Sequence, residues 1–176
     1  MSAPSCRLSA TASSPAAGPL LACRPAASAA ELAAHFRIRR QVFVVEQGLF
    51  RGGPAGDRDA RDEDPATIHV VGLADGEVCG AVRLYPLGGP PGQWQGDRLA
   101  VLAAHRRHGI GAPLVRYAVA AAGARGGREM EAFIQPANVA FFEWLGWRRA
   151  GCIVPYAGIG HQRMVIGLTA RRGQPA

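Results

Sequence analysis

The sequence predicts a single α+β domain around a mixed sheet, in the order β-α-β-β-β-α-β-α-β-β. Three observations predict it. A chain of 176 residues is one domain's worth. Its 48% hydrophobic content supplies a sizeable core and excludes wholesale disorder. Strand-like runs joined by a hairpin signal alternate with segments of helical period, without an internal repeat.

Each element has its own signal. Residues 1–18 are Ser, Ala and Pro with almost no charge, which reads as a disordered tail. Leu20-Leu21-Ala22-Cys23 looks like a lipobox, but Pro15, Gly18 and Pro19 interrupt the apolar run a leader needs. A first strand, Leu20 to Arg24, ended by Pro25, accounts better for the segment. Ser28 and Glu31 have capping-box spacing. They open a helix that runs through Phe36, Ile38 and Arg40 to Phe43 and Val45, and Gly48 ends it. Residues 51–65 carry Asp57, Asp59, Asp62, Glu63 and Asp64 among arginines and read as a solvated polar loop. Ile68–Leu73 and Val78–Tyr85 flank Asp75-Gly76 as a hairpin. A Gly/Pro loop from Leu87 to Gln95 precedes a strand over Asp97–Leu102. Ile110, Leu114, Val115, Ala118, Val119 and Ala122 then fit a 3.6-residue period, with Pro113 tolerated in the first turn. Met130–Ile134 is a strand, and Pro136 opens a short helix that closes at Gly146. The last two strands cover Arg148–Val154 and Gln162–Leu168. The domain spans 19–170, and 171–176 form a flexible C-terminus.

The net charge is +7, and all 20 basic residues are Arg. Such a charge suits nucleic acid, an acidic surface or a phosphorylated ligand. Arg forms planar, bidentate contacts with phosphate. The arginines are spread from Arg7 to Arg172, and only Arg37-Arg39-Arg40 and Arg148-Arg149 look like patches, so the spread does not read as a nucleic-acid surface. The excess reads mostly as the composition of a GC-rich genome. Cys6, Cys23, Cys79 and Cys152 form no C-x-x-C pair and read as reduced thiols of a cytoplasmic protein. No stretch approaches the roughly 20 apolar residues of a membrane helix. The clustered acids show no metal-ligand spacing.

The informative segment runs from Asp97 to Gly111. A buried strand enters an Arg-x-x-Gly-x-Gly turn, Arg106 to Gly111, and then a helix N-terminus. Gly109 and Gly111 permit close approach of a ligand to the backbone. The first helix amides lack intrahelical partners, and the helix dipole adds partial positive charge. Together they make an anion site suited to a phosphate or pyrophosphate. The segment lacks the Gly-Lys-Ser/Thr of a P-loop and the G-x-G-x-x-G of a dinucleotide site.

Here the sequence resembles the GNAT N-acetyltransferase superfamily, over roughly residues 19–168. Four segments carry the resemblance: Phe36 to Gly48, Leu99 to Gly111, Ile134 to Trp147, and Gly158 to Met164. They look closest to bacterial acetyltransferases often linked to nitrogen starvation. The resemblance implies a mixed, mostly antiparallel central sheet with helices on both faces. It implies acetyl-CoA as donor substrate and no metal. The backbone of Leu99, Ala100 and Val101 would bind pantetheine, and an amide there, that of Leu99, would polarise the thioester carbonyl. Amides from Arg107 through His108, Gly109, Ile110, Gly111 and Ala112 would hold the pyrophosphate, with Arg106 and Arg107 adding charge.

Two departures matter. Many relatives have an Asn that contacts the cofactor. The commonest spacing places it at Gln135, while Asn138 lies one turn later, so the two share the candidacy. Many relatives have a Tyr acid where this chain has Phe142, which has no proton to give. Tyr156 is the substitute candidate. For the base that takes the amine's proton, Glu46, His69 and His161 are candidates, with Glu46 ranked first because the segment around it matches well.

The function these features imply is transfer of an acetyl group from acetyl-CoA to a primary amine of a small molecule. The run Arg39 to Phe43 bears a loose likeness to acyl-homoserine-lactone synthases, which makes that activity an alternative. A non-catalytic CoA-binding module is another, motivated by Phe142. A homodimer is common in this fold, although no interface is legible in the sequence.

Overall fold

The computed structural model describes residues 18–50, 56–156 and 158–168. Apart from Gly18, the expected tail over 1–18 and the C-terminus over 171–176 lie outside the described residues.

The order of strands and principal helices is as the sequence predicts. Strand β1 covers Leu21–Pro25, and helix α1 covers Ala29–Arg39. The N-terminus of α1 is held from both sides. Ser28 Oγ accepts from the Glu31 amide at 3.2 Å, and the Glu31 carboxylate accepts from the Ala27 amide at 2.8 Å. Glu31 thus reaches one residue beyond the usual capping-box partner. The helix does not continue as an α-helix to Val45. It passes at Arg40 into a π-helical segment, Arg40–Glu46, which ends before Gly48. A wider turn of this kind re-aims side chains and recurs at functional sites.

A single 3-10 turn, Ala60–Glu63, leads to the hairpin β2 Ile68–Ala74 and β3 Glu77–Pro86. Its turn residues Asp75 and Gly76 both have positive φ, 51° and 84°, as a type I′ turn requires. Strand β4 covers Gln93–Val101 and starts four residues before the expected Asp97, because Gln93–Gln95 pair with a neighbouring strand. After the 3-10 turn Ala103–His108 comes α2, Gly111–Gly123. Strand β5 is Glu129–Ile134. A 3-10 turn at Pro136–Asn138 leads into α3, Val139–Trp144. Strands β6, Arg148–Tyr156, and β7, Ile159–Gly167, complete the chain.

The seven strands form one sheet in the order β1-β2-β3-β4-β5-β7-β6. Every neighbouring pair is antiparallel except β4 and β5. Helices cover both faces. On one, Ile38 of α1 and Val42 pack against Ala81 and Ala100. On the other, Ile110 and Leu114 close over Gly72 and Gly80. A Cβ at Gly80 would lie 2.7 Å from Leu114 Cδ1, so the helix sits on bare backbone there.

The parallel pair positions the site. Strands β4 and β5 are registered only at Gln93–Gln95 with Glu129–Glu131. Beyond that point they part. Strand β4 bulges at Arg98, where the pairing with β3 slips between Ala81 and Arg83 and φ is +54°. A bulge bends a strand and raises its twist, which turns β4 away from β5.

Candidate acyl-transfer site

The parting strands open a cavity of about 140 Å³. It passes through the plane of the sheet. Phe43, Leu49 and Phe50 line it on the α1 side, and Val115 and Ala118 of α2 line it on the other. Asp97, Arg98 and Leu99 of β4 face Ala132, Phe133 and Ile134 of β5 across it.

Two residues at the α1-side mouth hold strained backbone. Phe50 has φ +58° and Arg98 φ +54°, a region in which bulky side chains are outliers. Such strain persists only where the surroundings impose it, and it gathers at functional sites. Here the two residues brace each other, with the Arg98 guanidinium 4.9 Å from the Phe50 ring centroid. Arg98 also donates to the Asp57 carbonyl at 3.1 Å, to Asp59 Oδ2 at 3.0 Å and to Tyr156 Oη at 2.7 Å.

Arg98 belongs to a buried charge network. Arg39, fully buried, donates to Asp57 Oδ2 and Asp62 Oδ1, both at 2.6 Å. Arg83 donates to Asp59 Oδ1 at 2.6 Å and Asp97 Oδ2 at 2.7 Å, and lies 2.9 Å from Asp62. The expected solvated loop is therefore corrected. Asp57 and Asp62 are buried, because guanidinium groups from α1, β3 and β4 converge on them. Burial alone would raise the Asp62 carboxyl, but its hydrogen bonds to Arg39 outweigh that and hold it below the usual carboxylate range. The same balance, with Arg83 as partner, lowers Asp59. Residues 51–55 of this loop lie outside the described residues.

The expected catalytic residues separate into two places. Tyr156 and His161 both line the cavity, with ring centroids 5.3 Å apart and planes near perpendicular. His161 Nδ1 lies 3.1 Å from the Ile159 carbonyl, which assigns the ring proton to Nδ1 and leaves Nε2 as an acceptor. Glu46 is not among the lining residues. It stands at the end of the π-helical segment and pairs with Arg106, which also donates to the Val101 carbonyl at 3.0 Å. His69 is elsewhere, stacked on His35 with centroids 4.9 Å apart and with Nε2 3.3 Å from the Asp62 carbonyl. Burial, above all, pushes the His35 imidazole down to about 3 and also lowers His69. Both are structural histidines beneath the acidic loop.

The proposed donor-binding residues run from the end of β4 to the start of α2. Leu99 lines the cavity, and Ala100 and Val101 follow in β4, registered with Ala81 and Gly80 of β3. Arg106, Arg107 and His108 end the 3-10 turn, and Gly109, at φ +76°, makes the left-handed link to Ile110 and to Gly111 and Ala112 of α2. Position 109 requires Gly. Gly111 does not need it for space, since a Cβ there would meet Phe141 at an ordinary 3.8 Å. No side chain caps α2, so its first amides keep their donors. His105 Nδ1 and His108 Nδ1 are likewise buried without partners among the described residues.

Gln135 lines the cavity and donates to Gln47 Oε1 at 2.9 Å. Asn138 also lines it, is exposed, and makes no side-chain cap bond to α3. Phe142 lies buried in the cavity wall, edge-on to Trp147 at 5.3 Å. Sequence reasoning missed Arg98, Phe43 and Phe50. The π-helical segment and the bulge bring them to the cavity, and neither leaves a clear sequence signal.

Residues 34–147 match the acetyltransferase (GNAT) family. The chain belongs to the GNAT acetyltransferases. It is thus an acyltransferase, of the N-acyltransferase kind. Solved structures agree with this GNAT fold. An acyl-CoA N-acyltransferase from Pseudomonas aeruginosa superposes with a TM-score of 0.68 and 25% identity, over 82% of this chain and 97% of that one. The CoA-dependent acyl-homoserine lactone synthase BjaI, solved with SAM and isopentyl-CoA, gives 0.69 and 19%, over 88% and 85%. An aminoglycoside 6'-N-acetyltransferase complexed with coenzyme A gives 0.64 and 18%, over 88% and 99%. No curated protein sequence matches the chain. No helix among the described residues is long and apolar enough to cross a membrane, and no group of three or more His, Cys, Asp or Glu among them could hold a metal ion.

Proposed function

We propose that this GNAT protein transfers an acetyl group from acetyl-CoA directly to a primary amine of a small molecule, in the cytoplasm. One observation carries the reading. The cavity between the parted strands adjoins a strand edge that leads, through the turn at Ala103–His108, to the uncapped start of α2. The likeness of its four motif segments to the nitrogen-starvation-linked bacterial acetyltransferases supports a place in that subgroup.

The residues fit the donor. Amides from Arg107 to Ala112 would take the pyrophosphate, with the Gly109 turn admitting close approach and Arg106 and Arg107 adding charge. The edge of β4 at Leu99, Ala100 and Val101 would pair with the amides of pantetheine, completing a ladder that β5 leaves open. Gln135 and Asn138 flank the same passage. Acetyl-CoA, when bound, supplies an activated thioester carbonyl. The Leu99 amide, beside the bulge, would polarise its oxygen.

Acceptor and proton transfers fall to the α1-side mouth. An ammonium must lose a proton before it attacks. His161 Nε2 is the better placed acceptor, since His161 lines the cavity. Glu46 is the second candidate, acting through water beside Arg106. Tyr156 accepts a hydrogen bond from Arg98 and keeps its own proton to give to the departing thiolate, the role Phe142 cannot fill.

The test combines calorimetric binding of CoA with an amine screen that follows thiol release. Absence of CoA binding overturns the donor reading. CoA binding without thiol release from any amine favours a non-catalytic CoA-binding module. For the base, a His161→Gln enzyme loses the fall in rate toward low pH that the wild-type profile shows while Glu46→Gln keeps it, and the reverse result restores Glu46.

Acyl-homoserine-lactone-like acyl transfer is a second reading, favoured by the likeness to BjaI and by Phe43 at the cavity mouth. Acyl transfer from a CoA thioester to S-adenosylmethionine, the molecule bound in BjaI, and not to simple primary amines, would select it.

A further inference from the structure

An acetyl group needs only the part of the cavity beside Leu99. The cavity goes further. Beyond the sheet plane its wall is Val82, Val115, Ala118, Met130, Phe142 and Trp147, all buried. No charged side chain lies in this half. Small residues keep it open. Ala118 of α2 stands where a larger side chain would project inward, and Gly96 leaves the space that Met130 borders, 3.2 Å from where a Cβ would lie. The one polar atom of this wall, Trp147 Nε1, is buried and has no hydrogen-bond partner among the described residues. Buried donors are almost always satisfied, so an orphan marks a place that a ligand or water completes.

We infer that this half of the cavity is an acyl chamber, and that the favoured donor carries a chain longer than acetyl. The inference rests on the CoA-thioester part of the donor reading above and replaces acetyl by a longer acyl group. The whole cavity, mouth included, is about 140 Å³, close to the roughly 150 Å³ apolar cavity that holds benzene, which limits the chain to about six carbons at most. The reaction keeps its balance. The amine nitrogen bonds to the thioester carbonyl carbon, the carbon–sulfur bond breaks, CoA leaves as the thiol, and the amine's proton passes to the base.

Binding tests this without a known acceptor. CoA, acetyl-CoA and hexanoyl-CoA are titrated into the full chain by calorimetry. Each fully buried methylene is worth about a fourfold gain in affinity, so even partial burial of four makes hexanoyl-CoA bind at least about tenfold tighter than acetyl-CoA. An Ala118→Leu variant, which fills the chamber, brings that ratio to about threefold or less. Equal affinities of the two thioesters for the wild-type chain overturn the acyl chamber while leaving the donor reading intact. Failure of all three ligands to bind overturns both. A ratio unchanged in Ala118→Leu places the acyl chain elsewhere and overturns the assignment of these residues. The wild-type series decides on its own should Ala118→Leu not fold.

Discussion

Replacing Arg39 by Met removes the hinge of the buried charge network. Arg39 is fully buried and serves two carboxylates at once, Asp57 and Asp62, with Nη2 also donating to the Asp57 carbonyl at 3.0 Å. Met fills a similar volume but leaves both carboxylates short of their main partner. Breaking one side of a buried ion pair costs about 3–5 kcal/mol. Asp62 retains Arg83 at 2.9 Å and Asp57 retains Arg98 at 3.7 Å, so the lower end, about 3 kcal/mol, is expected. For a domain of this size that is a fall in Tm of about 6–12 °C. The pH dependence changes as well. Asp62 and Asp59 titrate below their unfolded range in the wild-type chain. Their contribution to stability is thus present above about pH 4 and lost as the pH falls through the folded values. The variant frees Asp62 from its strongest partner and should lose less stability below pH 4. Adding Asp62→Asn removes one orphaned charge and should recover about half of the loss. Thermal and urea unfolding followed by circular dichroism, from pH 7 to pH 3, measures all of this. A Tm within about 2 °C of wild type would refute the view that this network anchors the acidic loop.

Other substitutions report on single steps. Gly109→Ala places a Cβ at φ +76° and should cost about 1–2 kcal/mol of stability while weakening CoA at least tenfold, read by calorimetry. Gly80→Val drives a side chain into Leu114 of α2 and should lower stability by about 1–3 kcal/mol in urea unfolding, with no new contact to compensate. Tyr156→Phe keeps the ring against His161 but deletes the hydroxyl that Arg98 holds, and should lower kcat by about 10²-fold with little change in donor affinity. An unchanged kcat there removes Tyr156 as the acid. His35, pushed down to about 3 chiefly by burial, stays neutral in the folded chain. Stability should therefore erode as the pH falls from about 6.5 toward 3, and a His35→Gln variant should flatten that slope.

The fold is largely legible in the sequence because its signals are local. Capping at Ser28 and Glu31, the Asp75-Gly76 turn and the period of residues 110–122 each act within a few residues of backbone. The path of the chain after residue 39 is not legible, since Phe43 and Val45 fit an α-helical period as well as the π-helical path they take. The loop around Gly109 is plain, because a glycine at a left-handed turn and an uncapped helix start are sequence-local facts.

What the sequence by itself determined about this protein is its order of elements, the glycine turn before its second helix and, by resemblance, its family. Only the tertiary structure decided how the charge is used. The 20 arginines look like scattered composition, yet three of them, Arg39, Arg83 and Arg98, are buried among Asp57, Asp59, Asp62 and Asp97. Apart from the adjacent Arg98 and Asp97, these partners lie 14 to 41 residues apart, so no spacing rule could pair them. The cavity is likewise a property of two strands that separate after three paired residues. A bulge at Arg98 opens it, and packing between distant segments, not local propensity, holds that backbone in place.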